Sequence, residues 1–383
     1  MKHKTKTTLF NFENIYKAYQ SCIKNKRATY NALVYEQNLL ENLWALCEVL
    51  NSRNYHIGSS LCFLTSSPKL REIFAADFKD RVVHHLLINA IEGFYEKKFI
   101  YDVYNNRKKK GTHKAIQRAQ YFMRKESVNY YLQLDIKGFF YNIDKNILYK
   151  KVANDISKSD LEFQDEILYL AHKIIYHDST KNYRFRGNIE KLKQLPEHKT
   201  LFKIPKHKGL PIGNLSSQFF ANVYMNDFDN FIKRELKVKY YIRYVDDFVL
   251  FDTSKERLQT LKHKIEVYLY ENLSLTLRDD FKLKNINQGL DFLGYVVREH
   301  YTLVRKRVIK NYKFKKAKYL ERYEKEEGKM DFELIKAFLA VQSSFTGHCK
   351  HANSYKLLKT QKIKDDQNEE KYCKNITTVW NTK

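Results

Sequence analysis

The sequence predicts an α+β protein, and three observations carry that expectation. Apolar residues recur at helical spacing in several segments, first at Leu39, Leu43, Leu46 and Leu50. Other short runs, 130–136 and 241–251, are rich in Tyr, Ile, Val, Leu and Phe and have the length of strands. Proline and glycine are scarce, at 4 and 11 in 383 residues, so regular elements run with few breaks.

Taken in order, residues 36–50 and 81–95 read as helices. A basic loop, Arg107-Lys108-Lys109-Lys110-Gly111, leads to a helix with Thr112 as N-cap and Ala115, Ile116, Ala119, Phe122 and Met123 on one face. Residues 130–136, Y-Y-L-Q-L-D-I, form a strand. Asp144 caps a helix ahead of Ile147 and Leu148. Residues 177–209 are polar and basic, hold Pro196 and Pro205, and read as an insertion at the surface. A helix follows over 216–236, then a strand pair over 241–251. Residues 331–342 restart a helix, with Asp331 as N-cap and Leu334, Ile335, Phe338 and Leu339 as its stripe. From 361 the chain is polar, as mobile tails are. No internal repeat is found.

Seventy basic residues against 44 acidic give a formal charge of +26. Such an excess points to a polyanion, most simply nucleic acid. The 29 Tyr and 25 Phe suit a groove that neutralises phosphates and stacks bases. The five cysteines form no C-x-x-C, which fits a reducing cytoplasm better than a disulfide framework. The first ten residues show no apolar signal region, and no apolar run reaches the roughly 18 residues of a membrane span.

Within Y-I-R-Y-V-D-D-F-V-L-F, two aspartates, Asp246 and Asp247, interrupt an otherwise apolar segment. Aspartate favours a turn, so the pair falls at the tip of a β-hairpin. Adjacent carboxylates repel unless a cation lies between them. Mg²⁺ binds through one or two carboxylates plus substrate phosphates, which makes the pair a candidate metal site; a plain exposed Asp-Asp turn is the bland alternative. Asp135 shifts the balance. It follows alternating Leu132 and Leu134 near the end of a buried strand, where an acid is costly unless paired or coordinated. If that strand lies beside the hairpin, Asp135 and Asp246 can chelate two ions about 3.5–4 Å apart, the spacing for in-line nucleotidyl transfer.

With these residues in place, the sequence resembles reverse transcriptases. Y-V-D-D at 244–247 is similar to that family's Y-x-D-D box, and L-D-I-K-G-F-F at 134–140 to its first catalytic aspartate motif. P-K-L-R-E-I at 68–73 and F-K-D-R-V-V-H-H at 78–85 resemble fingers motifs, and D-F-L-G-Y at 291–295 the segment near the primer grip. Most relatives of this type carry Q-G-x-x-x-S-P before the long palm helix. Here I-G-N-L-S-S-Q at 212–218 resembles the version in diversity-generating retroelements, as do the longer stretches at 209–224 and 347–358. Group II intron enzymes are similar in the core.

The resemblance implies a right-hand polymerase fold with fingers, a palm of antiparallel sheet plus helices, and a helical thumb. Its expected parts are an N-terminal helical extension at 1–59, fingers at 60–130, palm at 131–300, thumb at 301–360 and the tail at 361–383. It implies Asp135, Asp246 and Asp247 as catalytic and, with Ile136, as the metal set for two Mg²⁺ ions, for which Mn²⁺ can substitute. Lys69 and Arg71 match residues that hold the incoming triphosphate. Phe140 matches the aromatic that excludes a ribose 2′-hydroxyl, with Phe139 as its rival. Ile212, Gly213 and Gln218 fall at the nucleotide pocket. Lys282 matches a lysine that assists the leaving pyrophosphate, although a free surface lysine is an equal alternative. His348, Cys349 and His351 lack a fourth zinc ligand and read as a thumb-region loop. His84 and His85 read as structural or substrate-facing.

The function so implied is an RNA-directed DNA polymerase that copies a template-repeat RNA into cDNA with errors at adenines. Its partners would be template RNA, a cDNA or DNA primer, deoxynucleotides and a small basic accessory oligomer. The alternatives are a reverse transcriptase of phage defence or intron mobility, and a non-catalytic RNA-binding scaffold. Intact Asp135, Asp246 and Asp247 argue against the scaffold.

Overall fold

The computed structural model describes residues 8–24, 29–65, 69–325 and 332–360. The expected cap Asp331, Pro68, Cys373 and the polar tail lie outside the described residues.

The chain opens with helices α1 (Phe12–Ile23), α2 (Tyr30–Gln37) and α3 (Leu39–Asn51), then strands β1 (Ser60–Thr65) and β2 (Arg71–Ala75). Helices α4 (Phe78–Lys98) and α5 (Thr112–Met123) lead to β3 (Tyr130–Asp135). A single turn, α6 (Phe139–Asn142), is followed by α7 (Lys145–Ser157), α8 (Gln164–Tyr176) and β4 (Tyr183–Arg186). Helix α9 (Leu215–Asn230) precedes β5 (Tyr240–Tyr244) and β6 (Asp247–Asp252). The rest is α10 (Lys255–Leu273), β7 (Lys282–Asn285), β8 (Leu290–Phe292), β9 (Tyr295–Val297), β10 (Thr302–Val304), α11 (Lys306–Lys325) and α12 (Phe332–Cys349). This is an α+β fold. No described helix is long and apolar enough to cross a membrane.

Two compact units emerge. The first comprises Met1–Lys110, Gln133–Val249 and Gln259–Phe281. In it β1 pairs antiparallel with β2, Cys62 facing Phe74, and parallel with β4. A second sheet places β5, β6 and the end of β3 side by side. Helix α9 is buried on nearly every side, from Ser216 and Phe219 to Phe228 and Asp229. The second unit comprises Gly111–Leu132, Leu250–Leu258 and Lys282–Lys383. There β8, β9 and β10 form an antiparallel sheet, with Leu290 and Thr302 both paired to Val297. Its core gathers Val304, Tyr312, Phe345 and Cys349, with the Tyr312 and Phe345 rings stacked 4.0 Å apart.

Several sequence expectations need correction. The helix expected over 36–50 is two helices, because Asn38 leaves helical geometry at φ −123° and ψ 44°. Gly111, not Thr112, is the N-cap of α5. Its φ of 116° suits glycine, and Thr112 is already helical. The helix over 216–236 ends at Asn230 and continues as a π-helical turn, Phe231–Glu235. Residues 177–209 are more than an insertion, since Tyr183–Arg186 completes the first sheet. Within α12, Leu334 is buried but Leu339 is 52% exposed, so the apolar stripe is only partly covered. Asp144 caps α7 as expected, its carboxylate accepting from the N–H groups of Asn146 and Ile147.

Candidate active site

The site forms where β3 ends and the β5–β6 hairpin turns. Asp135 is the last residue of β3, Asp246 occupies the turn, and Asp247 opens β6. The Ile136 N–H donates to the Asp246 carbonyl at 3.3 Å, which ties the two acidic segments together through backbone. Burial, then the charge of Asp246, pushes the Asp135 carboxyl up to about 6. Burial also raises Asp246, against its own backbone hydrogen bond and the nearby Arg71, Lys69 and Arg278. Asp247 differs: the Gln133 side-chain amide donates to its carboxylate at 3.1 and 3.3 Å.

Three cations answer the carboxylates. Lys69 and Arg71, both exposed, lie at the approach to and the start of β2. The third, Arg278, was not singled out by the sequence. Residues 276–278 lie along the end of β3: Lys137 N–H donates to Thr276 O, and Arg278 N–H to Asp135 O, each at 2.9 Å. This brings Arg278 Nη1 to 3.8 Å from the Asp135 carboxylate, while Asp280 fixes the guanidinium through two 2.8 Å hydrogen bonds. The antiparallel bridge between Ile136 and Leu277 lies at the centre of this placement, and such a long-range pairing leaves no local sequence signal.

The expected nucleotide pocket is stitched together by backbone. Gly138, at φ 55°, turns the chain out of β3 into α6. Phe139 and Phe140 therefore sit on one helical turn rather than on extended chain. Phe139 is buried and Phe140 half-exposed, which leaves Phe140 as the ring open to a ligand. Leu210 N–H donates to Phe140 O at 2.8 Å, and Phe74 N–H to Ile212 O at 2.8 Å. The 209–214 segment thus bridges α6 and the strand that begins with Arg71. Gly213 meets that strand closely: a Cβ on it would lie 2.8 Å from Ile73 Cγ2 and 3.0 Å from Phe74 O. Gln218 is half-buried in the first turns of α9, its N–H donating to Asn214 O over a long 3.4 Å. Glu72, buried between Arg71 and Ile73, accepts from the Thr200 hydroxyl at 2.7 Å and from the Leu201 N–H. Residues 200–201 therefore brace the strand that begins with Arg71.

Lys282 belongs to the second unit, where its ammonium lies 3.6 Å from Asp291, which also pairs with Arg305 at 2.6 Å. His348 and Cys349 end α12 rather than forming a loop: His348 stacks on Tyr295 at 4.1 Å and Cys349 is buried. His351 stacks on His113 at 3.5 Å. His84 is buried in α4, with Ser216 Oγ 3.3 Å from its Nδ1. Burial pulls its pKa down to about 3, so the ring is neutral.

Among the described residues, no cluster of three or more His, Cys, Asp or Glu side chains could hold a metal ion. Two mutually repelling carboxylates ringed by cations do fit hard divalent ions that complete their shell with phosphate and water oxygens. The donors are all oxygen, and the charge of Asp135 and Asp246 calls for a cation between them.

Adjacent strand-end carboxylates, flanked by cations at the start of β2 and on the 276–278 segment, make a site able to hold divalent ions and phosphate groups. The chain belongs to the reverse transcriptase (RNA-dependent DNA polymerase) family, whose profile matches residues 65–297. It is similar to the group II intron-encoded protein LtrA of Lactococcus lactis subsp. cremoris, 21% identical over 355 residues, covering 74% of this chain and 54% of that protein. It is also similar to protein YkfC of Escherichia coli K12, 24% identical over 278 residues, covering 63% and 65%. The chain thus spans about half the length of LtrA and under two thirds of YkfC. Among solved structures, a truncated apo telomerase from Candida tropicalis aligns with a TM-score of 0.46 at 12% identity, covering 65% of this chain and 55% of that one.

Proposed function

We propose that this chain is the RNA-directed DNA polymerase of a diversity-generating retroelement, copying a template-repeat RNA into cDNA with errors at adenines. The observation that carries the polymerase reading is the meeting of Asp135 and Asp246 inside a ring formed by Lys69, Arg71 and Arg278. Asp135 and Asp246, with Asp247 and Ile136 beside them, would hold divalent ions, most simply Mg²⁺. When bound, such ions lower the pKa of a primer 3′-hydroxyl and stabilise a leaving pyrophosphate. Lys69 and Arg71 bind the triphosphate, Arg by fork contacts and Lys as a point charge. Phe140 offers a half-exposed ring where a ribose 2′-hydroxyl would collide. The +26 charge supplies the phosphate contacts for template and primer.

The retroelement reading rests on I-G-N-L-S-S-Q at 212–218. The Ile212 carbonyl accepts from the Phe74 N–H, three residues beyond Arg71, and that link supports reading Ile212 as part of the nucleotide pocket. Glutamine there could hydrogen-bond to sugar or base, whereas isoleucine can only pack. Loss of one contact of about 1 kcal/mol relaxes discrimination roughly fivefold. An A·T nascent pair, held least firmly, suffers most. Fingers at 60–130, palm at 131–300, thumb at 301–360, a cytoplasmic location and a small basic accessory oligomer complete the proposal.

The test is to copy a defined RNA and sequence the cDNA. Ile212→Gln is expected to lower misincorporation opposite adenine more than opposite the other bases. It is the cleaner single change, because Gln218→Pro would also remove the hydrogen bond to Asn214. Similarity to LtrA favours an intron-linked role as the second reading. Even errors at all four template bases, unchanged in Ile212→Gln, would support that role and overturn the retroelement assignment.

A further inference from the structure

The residue before Asp246 has an unusual backbone. Val245 lies at φ 60°, in the left-handed region that β-branched side chains rarely enter. Something outside the turn must hold it there.

Both polar backbone groups of Val245 are held by side chains. Its N–H donates to Asn105 Oδ1 at 2.9 Å, and its carbonyl accepts from Arg243 Nη1 at 3.0 Å. Asn105 and Arg243 are fixed in turn. The Arg243 guanidinium is fully buried and makes a fork to Asp229 of α9, with Nε at 2.7 Å and Nη2 at 2.6 Å. Tyr241 donates its hydroxyl to the same carboxylate at 2.7 Å. Asn222, also on α9, accepts from Arg243 Nη1 at 3.2 Å and from the Asn105 amide at 2.8 Å, and donates to Asn105 O at 2.9 Å. Asn105 reaches the network because its segment lies along β5: Arg243 N–H donates to Asp102 O, and Tyr104 N–H to Arg243 O, each at 3.0 Å.

Three separate segments therefore converge on one peptide. Replacing a buried ion pair by apolar residues often leaves stability unchanged or improved, so stability alone is a weak reason for burying Arg243 and Asp229. What the network supplies is direction. With Val245 fixed on one side and Ile136 bonded to the Asp246 carbonyl on the other, the backbone that carries the Asp246 side chain is held from both sides.

We infer that Arg243 and Asn105 are positioning residues for the reaction. They hold Val245 in its left-handed conformation and so aim the Asp246 carboxylate at the reacting phosphate. This inference rests on the reading of Asp246 as the metal-binding carboxylate. Both residues are buried, so they act through Val245.

The experiment measures single-nucleotide incorporation by the full chain on an RNA template. Each variant is assayed well below its own melting temperature. Asn105→Ala removes the acceptor for the Val245 N–H, and Arg243→Lys keeps a charge for Asp229 but loses the fork that reaches the Val245 carbonyl. Each is expected to lower kcat by about tenfold or more, with KM for deoxynucleotide nearly unchanged, as misplacement of a reacting group does. Val245→Gly is the decisive addition, since glycine enters the left-handed region without strain. Asn105→Ala/Val245→Gly is expected to regain kcat relative to Asn105→Ala, and Arg243→Lys/Val245→Gly relative to Arg243→Lys. A merely structural network predicts the opposite, because removing the half-buried valine side chain from a weakened turn only lowers the melting temperature further. If one single variant does not fold, the other pair carries the test. Wild-type kcat in the single variants, or no recovery with glycine, overturns the inference. Asp246→Asn serves as the reference: full activity there sinks the underlying reading instead.

Discussion

Arg278 stands beside Asp135, its Nη1 3.8 Å from the carboxylate and its backbone N–H bonded to the Asp135 carbonyl at 2.9 Å. Asp280 occupies Nε and Nη2, which leaves Nη1 turned toward the carboxylates and whatever they bind. Arginine does not surrender a proton, so on the proposed function its contribution is charge and hydrogen bonding to a triphosphate rather than acid catalysis. A charged hydrogen bond contributes about 1.5–3 kcal/mol. Arg278→Gln is therefore expected to raise KM for deoxynucleotide about tenfold or more. Steady-state incorporation kinetics would show it, and an unchanged KM would remove Arg278 from the pocket.

A second expectation follows from the carboxylate pair. The Asp135 carboxyl lies at about 6 in the fold against an ordinary 3.8. For an acid raised in this way, stability is fully present below the unfolded value and lost as pH rises through the folded one. Metal-free protein is thus penalised at Asp135 above pH 6. Asp135→Asn, which is neutral throughout, is expected to melt higher than wild type at pH 7.5 in chelator. The difference should shrink as pH falls from 6 toward 4. Mg²⁺ should raise the melting temperature of wild type and leave that of the variant nearly fixed. Thermal melts across this range check both signs. A variant less stable than wild type at pH 7.5 would contradict the repulsion.

Asp144 provides a contrast among the acids of this segment. Its carboxylate accepts from the N–H groups of Asn146 at 2.8 Å and Ile147 at 3.1 Å, an N-cap on α7. Asp144→Ala is expected to cost about 1 kcal/mol of stability. It should leave kcat for nucleotide incorporation within about twofold of wild type, since a cap acts on the helix and not on the reacting atoms. Chemical denaturation and incorporation assays on the same preparation separate the two. A large fall in kcat at unchanged stability would place Asp144 in the chemistry.

The aspartates were legible in the sequence because each breaks a local pattern. Asp246 and Asp247 are charges inside an apolar run, and Asp135 ends an alternating strand. Lys69 and Arg71 were legible only through resemblance, since two cations at the entry to a short strand carry no pattern of their own. Arg278 was missed because its place depends on Leu277 meeting Ile136, a pairing of residues far apart in sequence. Arg243 was read as part of a strand, and nothing local marks Asp229, Asn222 or Asn105 as its partners. Their meaning comes from convergence of three segments, which sequence spacing does not encode. The 177–209 stretch looked like an insertion because its prolines and charges outweigh the short Tyr183–Arg186 strand. A parallel partner such as β1, far away in sequence, leaves no hairpin signal.

The central claim is that Asp246 holds the metal for DNA synthesis on RNA, and one paired measurement tests it most directly. Wild type and Asp246→Asn are compared for primer extension on an RNA template with Mg²⁺, and for affinity to the same template–primer. The substitution removes a negative charge from the metal site and leaves the lysines and arginines that contact phosphates. Extension is expected to disappear while affinity stays within about threefold, because binding is carried by those phosphate contacts. Full extension by Asp246→Asn would contradict the account.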